Sequence, residues 1–359
     1  MLQPVLKAYG LDAKAYHIQA FGSGLINHTW KVTGPGKPFI LQRINTDVFE
    51  NPEAIASNLQ ALAAYVRKNH PSYLFAAPLQ ATSGKYMVVH EGHYYRLTNF
   101  IEASHTVDFL TQSGQAYEAA RQFGKFTYIF NRFDTTTLKP TLTDFHNLTL
   151  RLQQFEQAVE KADNSRIELA ATEIDKVKQY VDIARQYSQI VESGSIPLRV
   201  VHHDTKINNV LFDEDDKGIG VIDLDTVMPG YFISDIGDMM RTYLSEANEE
   251  EQDISKIKIR GSFFAAIYVG YIGQMGGVLT EPEKQLFTYA GKFMIYMQFV
   301  RFLTDYLNGD VYYQTNYEAH NLVRARNQLC LLERYIAAIP EFENIISHFG
   351  KPAANTEIV

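Results

Sequence analysis

The sequence predicts a two-lobed α+β fold, with a small β-rich lobe first and a larger, mainly helical lobe after it. Three observations predict this. Short β-rich segments punctuated by glycine turns fill residues 16–101. Long amphipathic helical stretches dominate from about residue 103. A single run of short strands, between Pro197 and Gly230, interrupts those helices. The 359 residues are enough for two lobes with a substantial core, and the expected division is 1–101 and 102–359.

The elements follow in order. Tyr16–Gly22, Ile26–Val32 and Pro38–Ile44 have the length and the β-branched or aromatic content of strands. Gly22-Ser23-Gly24 and Thr33-Gly34-Pro35-Gly36 separate them as turns. Asn51-Pro52-Glu53 opens a helix that carries Ile55, Leu59, Leu62 and Val66 at helical spacing, and this helix is expected to lie on the small sheet. Lys85–Gly92 and His93–Ile101 form a hairpin joined at Glu91-Gly92. Helices are then expected at 113–133, 144–162, 168–192, 245–275, 281–308 and 320–338, with strands in Leu198–Asp204, Asn209–Asp213 and Gly218–Asp225. Glu249-Glu250-Glu251 is most simply the solvated start of the 245–275 helix, where the helix dipole favours carboxylates.

Composition excludes several classes. With 33 Lys and Arg against 41 Asp and Glu, the net charge of -8 argues against a nucleic-acid or anionic-membrane partner. The lone cysteine, Cys330, permits neither an internal disulfide nor a cysteine-rich metal site. No stretch reaches the ~20 apolar residues of a membrane span, and the first residues lack a signal-peptide core. A soluble, cytoplasmic protein is expected.

The chemistry sits in the strand-rich interruption, His202-His203-Asp204-Thr205-Lys206-Ile207-Asn208-Asn209, followed by Val221-Ile222-Asp223-Leu224-Asp225. A His-x-Asp, an Asn five residues after the Asp, and a further Asp beyond a short hairpin resemble the catalytic and metal-binding segments of the protein-kinase-like phosphotransferases. Phosphoryl transfer needs one carboxylate to receive the proton of the attacking hydroxyl, and oxygen ligands to hold Mg²⁺ against the nucleotide phosphates. The resemblance implies that Asp204 is the base, that Asn209 and Asp223 hold Mg²⁺, and that Lys206 lies near the γ-phosphate of ATP. It also implies that Asp235 braces the catalytic loop, with Ser234 capping its helix, and that His202 is structural. Taken alone, such Asp and Asn residues would only cap turns; four spaced elements in strand-loop-strand context favour the catalytic reading.

Upstream, Gly22, Ser23, Gly24 and Asn27 lie where a nucleotide-covering hairpin belongs, and the Asn resembles the aminoglycoside-phosphotransferase branch. The strand that normally offers a phosphate-binding Lys reads Phe39-Ile40-Leu41-Gln42-Arg43 and holds none. Gln42 has the register and Arg43 the charge, and adjacent strand residues face opposite ways, so one of them at most reaches the phosphates. The partner Glu on the helix is not identifiable. The crossover Tyr95–Glu102 is expected to bind adenine through backbone groups near Asn99 to Ile101.

The acceptor is read from later segments. Arg301–Tyr313 (RFLTDYLNGDVYY) and His320–Arg324 (HNLVR), with the SIPLRVVHHDTK and LDTVMPG runs, resemble the N-acetylhexosamine 1-kinases, an anomeric sugar-kinase branch of the same superfamily. The resemblance spans essentially the whole chain. It implies an amino-sugar acceptor, with Asp225, Thr226, Arg241, Arg301 and Asp305 as pocket residues. For Arg301 and Asp305 the competing reading is an i, i+4 ion pair on a helix surface. Rival functions are a kinase of another alcohol (an aminoglycoside, choline, homoserine) or a binding module without turnover. The Ser195-Ile196-Pro197-Leu198-Arg199 run matches a short sulfatase pattern, but the helical second half lacks the large sheet domain that sulfatases need.

Overall fold

The computed structural model describes residues 2–22 and 26–350. A short helix not expected from the sequence, α1 (Gln3–Ala8), precedes five strands: β1 (His17–Ala20), β2 (His28–Thr33), β3 (Phe39–Arg43), β4 (Val88–His90) and β5 (His93–Asn99). They form one antiparallel sheet in the order β1-β2-β3-β5-β4. The β4–β5 hairpin turns at Glu91 and Gly92, both at positive φ, the conformation that matches strand twist.

Alternation along the strands sorts the side chains into two faces. Leu41 opposes Leu97 in the register of β3 and β5, and both pack with Val32 and Tyr95 against Val5 and Leu6 of α1 in a small separate core. Gln42 opposes Arg96 and points the other way, towards the larger lobe. Arg43 opposes Tyr95 and therefore shares the face of the small core.

Helix α2 (Pro52–Asn69) begins as its sequence dictates, with the Asn51 side chain accepting from the Ala54 amide at 3.1 Å. Its packing differs from expectation. Ile55, Leu59, Leu62 and Val66 join the core of the larger lobe, not that of the sheet. Buried Asn58 fixes this docking: its amide nitrogen donates to the Lys139 and Val227 carbonyls at 2.8 and 3.1 Å, and its oxygen accepts from the Lys139 amide at 2.9 Å.

The larger lobe comprises α3 (Ser113–Ile129), α4 (Leu148–Lys161), α5 (Asn164–Leu169), α6 (Ala171–Gln179), α7 (Asp182–Ser193), α8 (Phe232–Tyr243), α9 (Gly261–Met275), α10 (Glu281–Gln285), α11 (Phe287–Leu307) and α12 (His320–Phe349). Strands β6 (Arg199–Val201) and β9 (Met228–Gly230) pair antiparallel, as do β7 (Val210–Phe212) and β8 (Gly218–Val221). Helices α8 and α11 approach so closely at Gly237 that a Cβ there would strike the Ala290 carbonyl oxygen. No helix among the described residues is long and apolar enough to cross a membrane.

Four helix expectations change, among them the 281–308 stretch, which breaks at Leu286 into α10 and α11. The 168–192 stretch breaks into separate helices at Ala170 and near Tyr180. The 320–338 helix runs on to Phe349 through Pro340. The 245–275 helix begins only at Gly261, so the glutamate run lies in a loop and not at a helix start. Tertiary partners explain that loop: Glu249 pairs with Arg241, Glu250 with Arg324 and His320, and Glu251 with Lys256.

Candidate active site

The catalytic-loop candidates extend from the end of β6. Fully buried Asp235, on α8, accepts the His202 amide at 2.9 Å and the His203 amide at 2.8 Å. Burial pushes its carboxyl up to about 6. Asp238, one turn later, takes the Thr205 amide at 2.8 Å, and the Tyr243 hydroxyl donates to the Thr205 carbonyl at 2.5 Å. Helix α8 thus holds His202, His203 and Thr205, the residues on either side of Asp204. Ser234 lies inside this helix, which starts at Phe232, and does not cap it. His202 is wedged edge-on against Phe123 and Phe126, with one ring nitrogen 2.9 Å from the Ile222 carbonyl.

His203, which precedes Asp204, and Asp223 itself both sit at positive φ (66° and 57°), uncommon for non-glycine residues. Asp204 follows His203 and is partly open to the cleft, with Oδ1 3.4 Å from Lys206 Nζ. Burial would raise the Asp204 carboxyl, but the Lys206 ammonium and His202 outweigh it and hold the group below the usual range. The charge of Asp204 in turn raises Lys206. Asn209 donates from Nδ2 to the Asp204 carbonyl at 2.9 Å and to Asp204 Oδ2 at 3.2 Å, which turns its amide oxygen away from the base.

A cavity of about 320 Å³ separates the sheet from this loop. Phe21, Ile40, Pro78, Leu211 and Ile222 give it an apolar slot, while Gln42, Arg96, Asn209 and Asp223 supply polar groups. Gly22, Asn99 and Ile101 also line it; Ser23 and Gly24 lie outside the described residues. At the crossover the Phe100 amide donates to the Pro38 carbonyl at 2.9 Å and the Ser104 hydroxyl to the Ile101 carbonyl at 2.7 Å. Arg43 does not line the cavity. Asn27 bridges the lobes, accepting the Asn45 amide at 3.0 Å and donating to Asp225 Oδ2 at 2.7 Å.

Asp223 opens to cleft solvent but is hemmed in by both lobes. That desolvation, with the charges of Asp225 and Asp204, pushes it up to about 7. Among the described residues no group of three or more His, Cys, Asp or Glu could hold a metal ion. A carboxylate and an amide oxygen on one cavity wall nonetheless suit Mg²⁺, which takes one or two protein oxygens and completes its shell with phosphates and water. The raised Asp223 is a site where a cation would relieve like-charge repulsion.

Three residues expected in an acceptor pocket are placed elsewhere. Asp225 is buried, with Oδ1 paired to Arg96 and Oδ2 to Asn27. Thr226 donates to the His202 carbonyl at 2.6 Å. Arg241 is enclosed between Asp238 and Glu249. Each is consumed by the scaffold because it lies where two elements meet and its polar atoms find partners there.

Arg301 and Asp305 do line one cavity, of about 460 Å³, but not as an ion pair. Asp305 accepts the amides of Val311, Tyr312 and Tyr313 at 3.0, 2.8 and 2.9 Å and the Asn321 side chain at 2.9 Å. Arg301 stands over the rings of Phe145, Tyr312 and Tyr313 at 5.5–5.9 Å. Phe145 and His146 stack on each other and meet the His203 ring, so the cavity adjoins the catalytic loop through one layer of rings. Arg151 and Lys161 complete a basic lining.

Sequence reasoning passed over Arg96, Asn58, Arg151 and the Phe145–His146 pair. Arg96 alone carried a signal, as a charge flanked by Tyr94, Tyr95 and Leu97 in the middle of a strand.

The profile of the phosphotransferase enzyme family (APH) matches residues 17–263. Among solved structures, a spectinomycin phosphotransferase in complex with ADP and spectinomycin is 14% identical at a TM-score of 0.60, covering 94% of this chain and 97% of its own. A microcompartment-associated aminopropanol kinase is 15% identical at a TM-score of 0.65, covering 94% and 97%. A choline kinase from Cryptosporidium parvum is 15% identical at a TM-score of 0.55, covering 97% and 98%.

Proposed function

The chain belongs to the phosphotransferase enzyme family, and on that premise we propose that it transfers the γ-phosphoryl group of ATP to the anomeric hydroxyl of an N-acetylated amino sugar such as N-acetylglucosamine or N-acetylgalactosamine. The lobe 1–101 covers the nucleotide and the remainder supplies catalysis and acceptor binding.

In this reading Asp204 accepts a hydrogen bond from the acceptor hydroxyl and takes its proton as the bond to phosphorus forms. Asn209 keeps Asp204 aimed by donating to both its carbonyl and its carboxylate. Lys206, half exposed beside Asp204, neutralises charge growing on the transferred group. Mg²⁺, held by the Asn209 amide oxygen and Asp223, would draw charge from the phosphate oxygens. Closure of the sheet over the cleft would exclude water and limit hydrolysis of ATP.

One observation favours this acceptor class over the alternatives. The cavity beside the catalytic loop is lined by Arg151, Lys161 and Arg301, while Asp305, the one carboxylate lining it among the described residues, already accepts four donors. A polycationic aminoglycoside or a quaternary amine would meet uncompensated positive charge there, and Arg301 already stands over the aromatic faces that a choline cage needs. A neutral sugar instead offers hydroxyl and amide oxygens to the guanidinium donors.

The test is ADP release with Mg-ATP across N-acetylglucosamine, N-acetylgalactosamine, glucose, choline, homoserine and kanamycin, with phosphorus NMR on any product. An acid-labile anomeric phosphate on an N-acetylated sugar is expected. Turnover confined to cationic acceptors would sink the acceptor assignment. Asp204→Asn should fold normally and lose turnover by about three orders of magnitude or more; wild-type-like turnover would remove Asp204 from the chemistry.

A further inference from the structure

The third strand lacks the lysine that would meet the nucleotide phosphates, and the geometry points to Arg96 on the neighbouring strand as the cation that does so. This inference rests on the kinase reading of the cleft and adds a phosphate-binding residue to it.

Register makes the substitution possible. Arg96 on β5 stands directly opposite Gln42 on β3, so the two side chains leave the sheet side by side on the cleft face. Both line the 320 Å³ cavity together with Asn209 and Asp223. Gln42 brings no charge, and Arg43 has charge but the wrong face. Among the described residues, Arg96 is the only Lys or Arg lining this cavity.

Its surroundings hold it in place without exhausting it. Arg96 Nε donates to Gln42 Oε1 at 2.9 Å and Nη1 pairs with Asp225 Oδ1. Gln42 is itself turned by Thr29, to which its amide nitrogen donates at 3.3 Å. The guanidinium carries five N–H donors, and Nη2 makes no hydrogen bond among the described residues. Asp225 is two residues from the candidate metal ligand Asp223, so the same ion pair ties the sheet to the metal-binding loop. Helix α2 offers no rival arrangement: its only acidic residue, Glu53, is exposed near its start. The Lys–Glu pair of kinase-like folds is thus replaced here by Arg96 and Asp225, with Gln42 as the clamp.

Calorimetric titration with Mg-ADP and with adenosine tests this. Removing one charge-assisted contact predicts that Arg96→Met weakens ADP by about 10- to 100-fold while adenosine stays within about twofold. Because Arg96→Met leaves buried Asp225 without its cation, Arg96→Met/Asp225→Asn serves as the variant that keeps the fold, and it should show the same selective loss. Arg96→Met/Gln42→Lys moves the charge to the adjacent strand position and should recover most of the ADP affinity. Equal losses for ADP and adenosine, or no recovery with Lys at 42, would make the pair a lobe brace and overturn the assignment while wild-type binding leaves the kinase reading intact. Wild-type protein that binds neither ligand would overturn both.

Discussion

Replacing Asp305 with Asn changes one oxygen for a nitrogen at the point where the 310–313 segment is anchored. In the native protein Oδ1 accepts the Val311 and Tyr312 amides and Oδ2 accepts Tyr313 and Asn321 Nδ2. Whichever way the new amide turns, its NH₂ group faces two donors, so two charge-assisted bonds are lost and the other two become neutral. At about 1.5–3 kcal/mol for a bond to a charged group, the loss is about 3–6 kcal/mol before relaxation. The residue is 4% exposed, so water cannot readily substitute. Urea denaturation followed by circular dichroism measures the stability change. Steady-state kinetics should add a raised KM for the acceptor, because Tyr312 and Tyr313 no longer hold the cavity wall, while ADP affinity is unchanged. A loss under about 1 kcal/mol with a native acceptor KM would show that the segment holds its shape without the carboxylate, and the reasoning would fail.

Other expectations follow from the buried polar groups. His203 is held neutral by burial, its ring lowered to about 4, so below its usual value the unfolded chain binds a proton that the native protein does not. Stability should therefore fall by about 3 kcal/mol as pH drops from 6.5 to 4, relative to His203→Asn, which suits the positive φ. Asp235 opposes this trend but is common to both proteins; parallel pH profiles in urea denaturation would refute the assignment. Asn58→Leu leaves a buried amide and two carbonyls unpaired and should cost about 3 kcal/mol or more, read as a lower urea midpoint. Glu283→Gln strips the buried Arg199 of its counter-charge, contacts now at 2.6 and 2.7 Å, and should cost about 3–5 kcal/mol in the same assay.

The two-lobed fold and the close grouping of Asp204, Lys206, Asn209 and Asp223 were legible because phosphate chemistry constrains local spacing, and local spacing is what a sequence displays. Side chains defined by distant partners were not. Asp225 is as polar as any ligand in the sequence, and nothing local reveals that Arg96, 129 residues away, takes it up. The glutamate run read as a helix start for the same reason, since its counter-charges lie on α8, α12 and a later turn. Helical periodicity located α2 correctly but could not say which core its apolar face enters. The Gln42 and Arg43 ambiguity resolved only when strand register assigned each a face and brought Arg96 alongside.

The docking of α2 carries one consequence for control. A helix whose apolar face and central asparagine belong to the larger lobe moves with that lobe, and the sheet alone is left to travel over the nucleotide. Swinging this helix outward would mean breaking the larger core, so an effector pressing on it gains no leverage over Arg96, which is fastened to Asp225 instead.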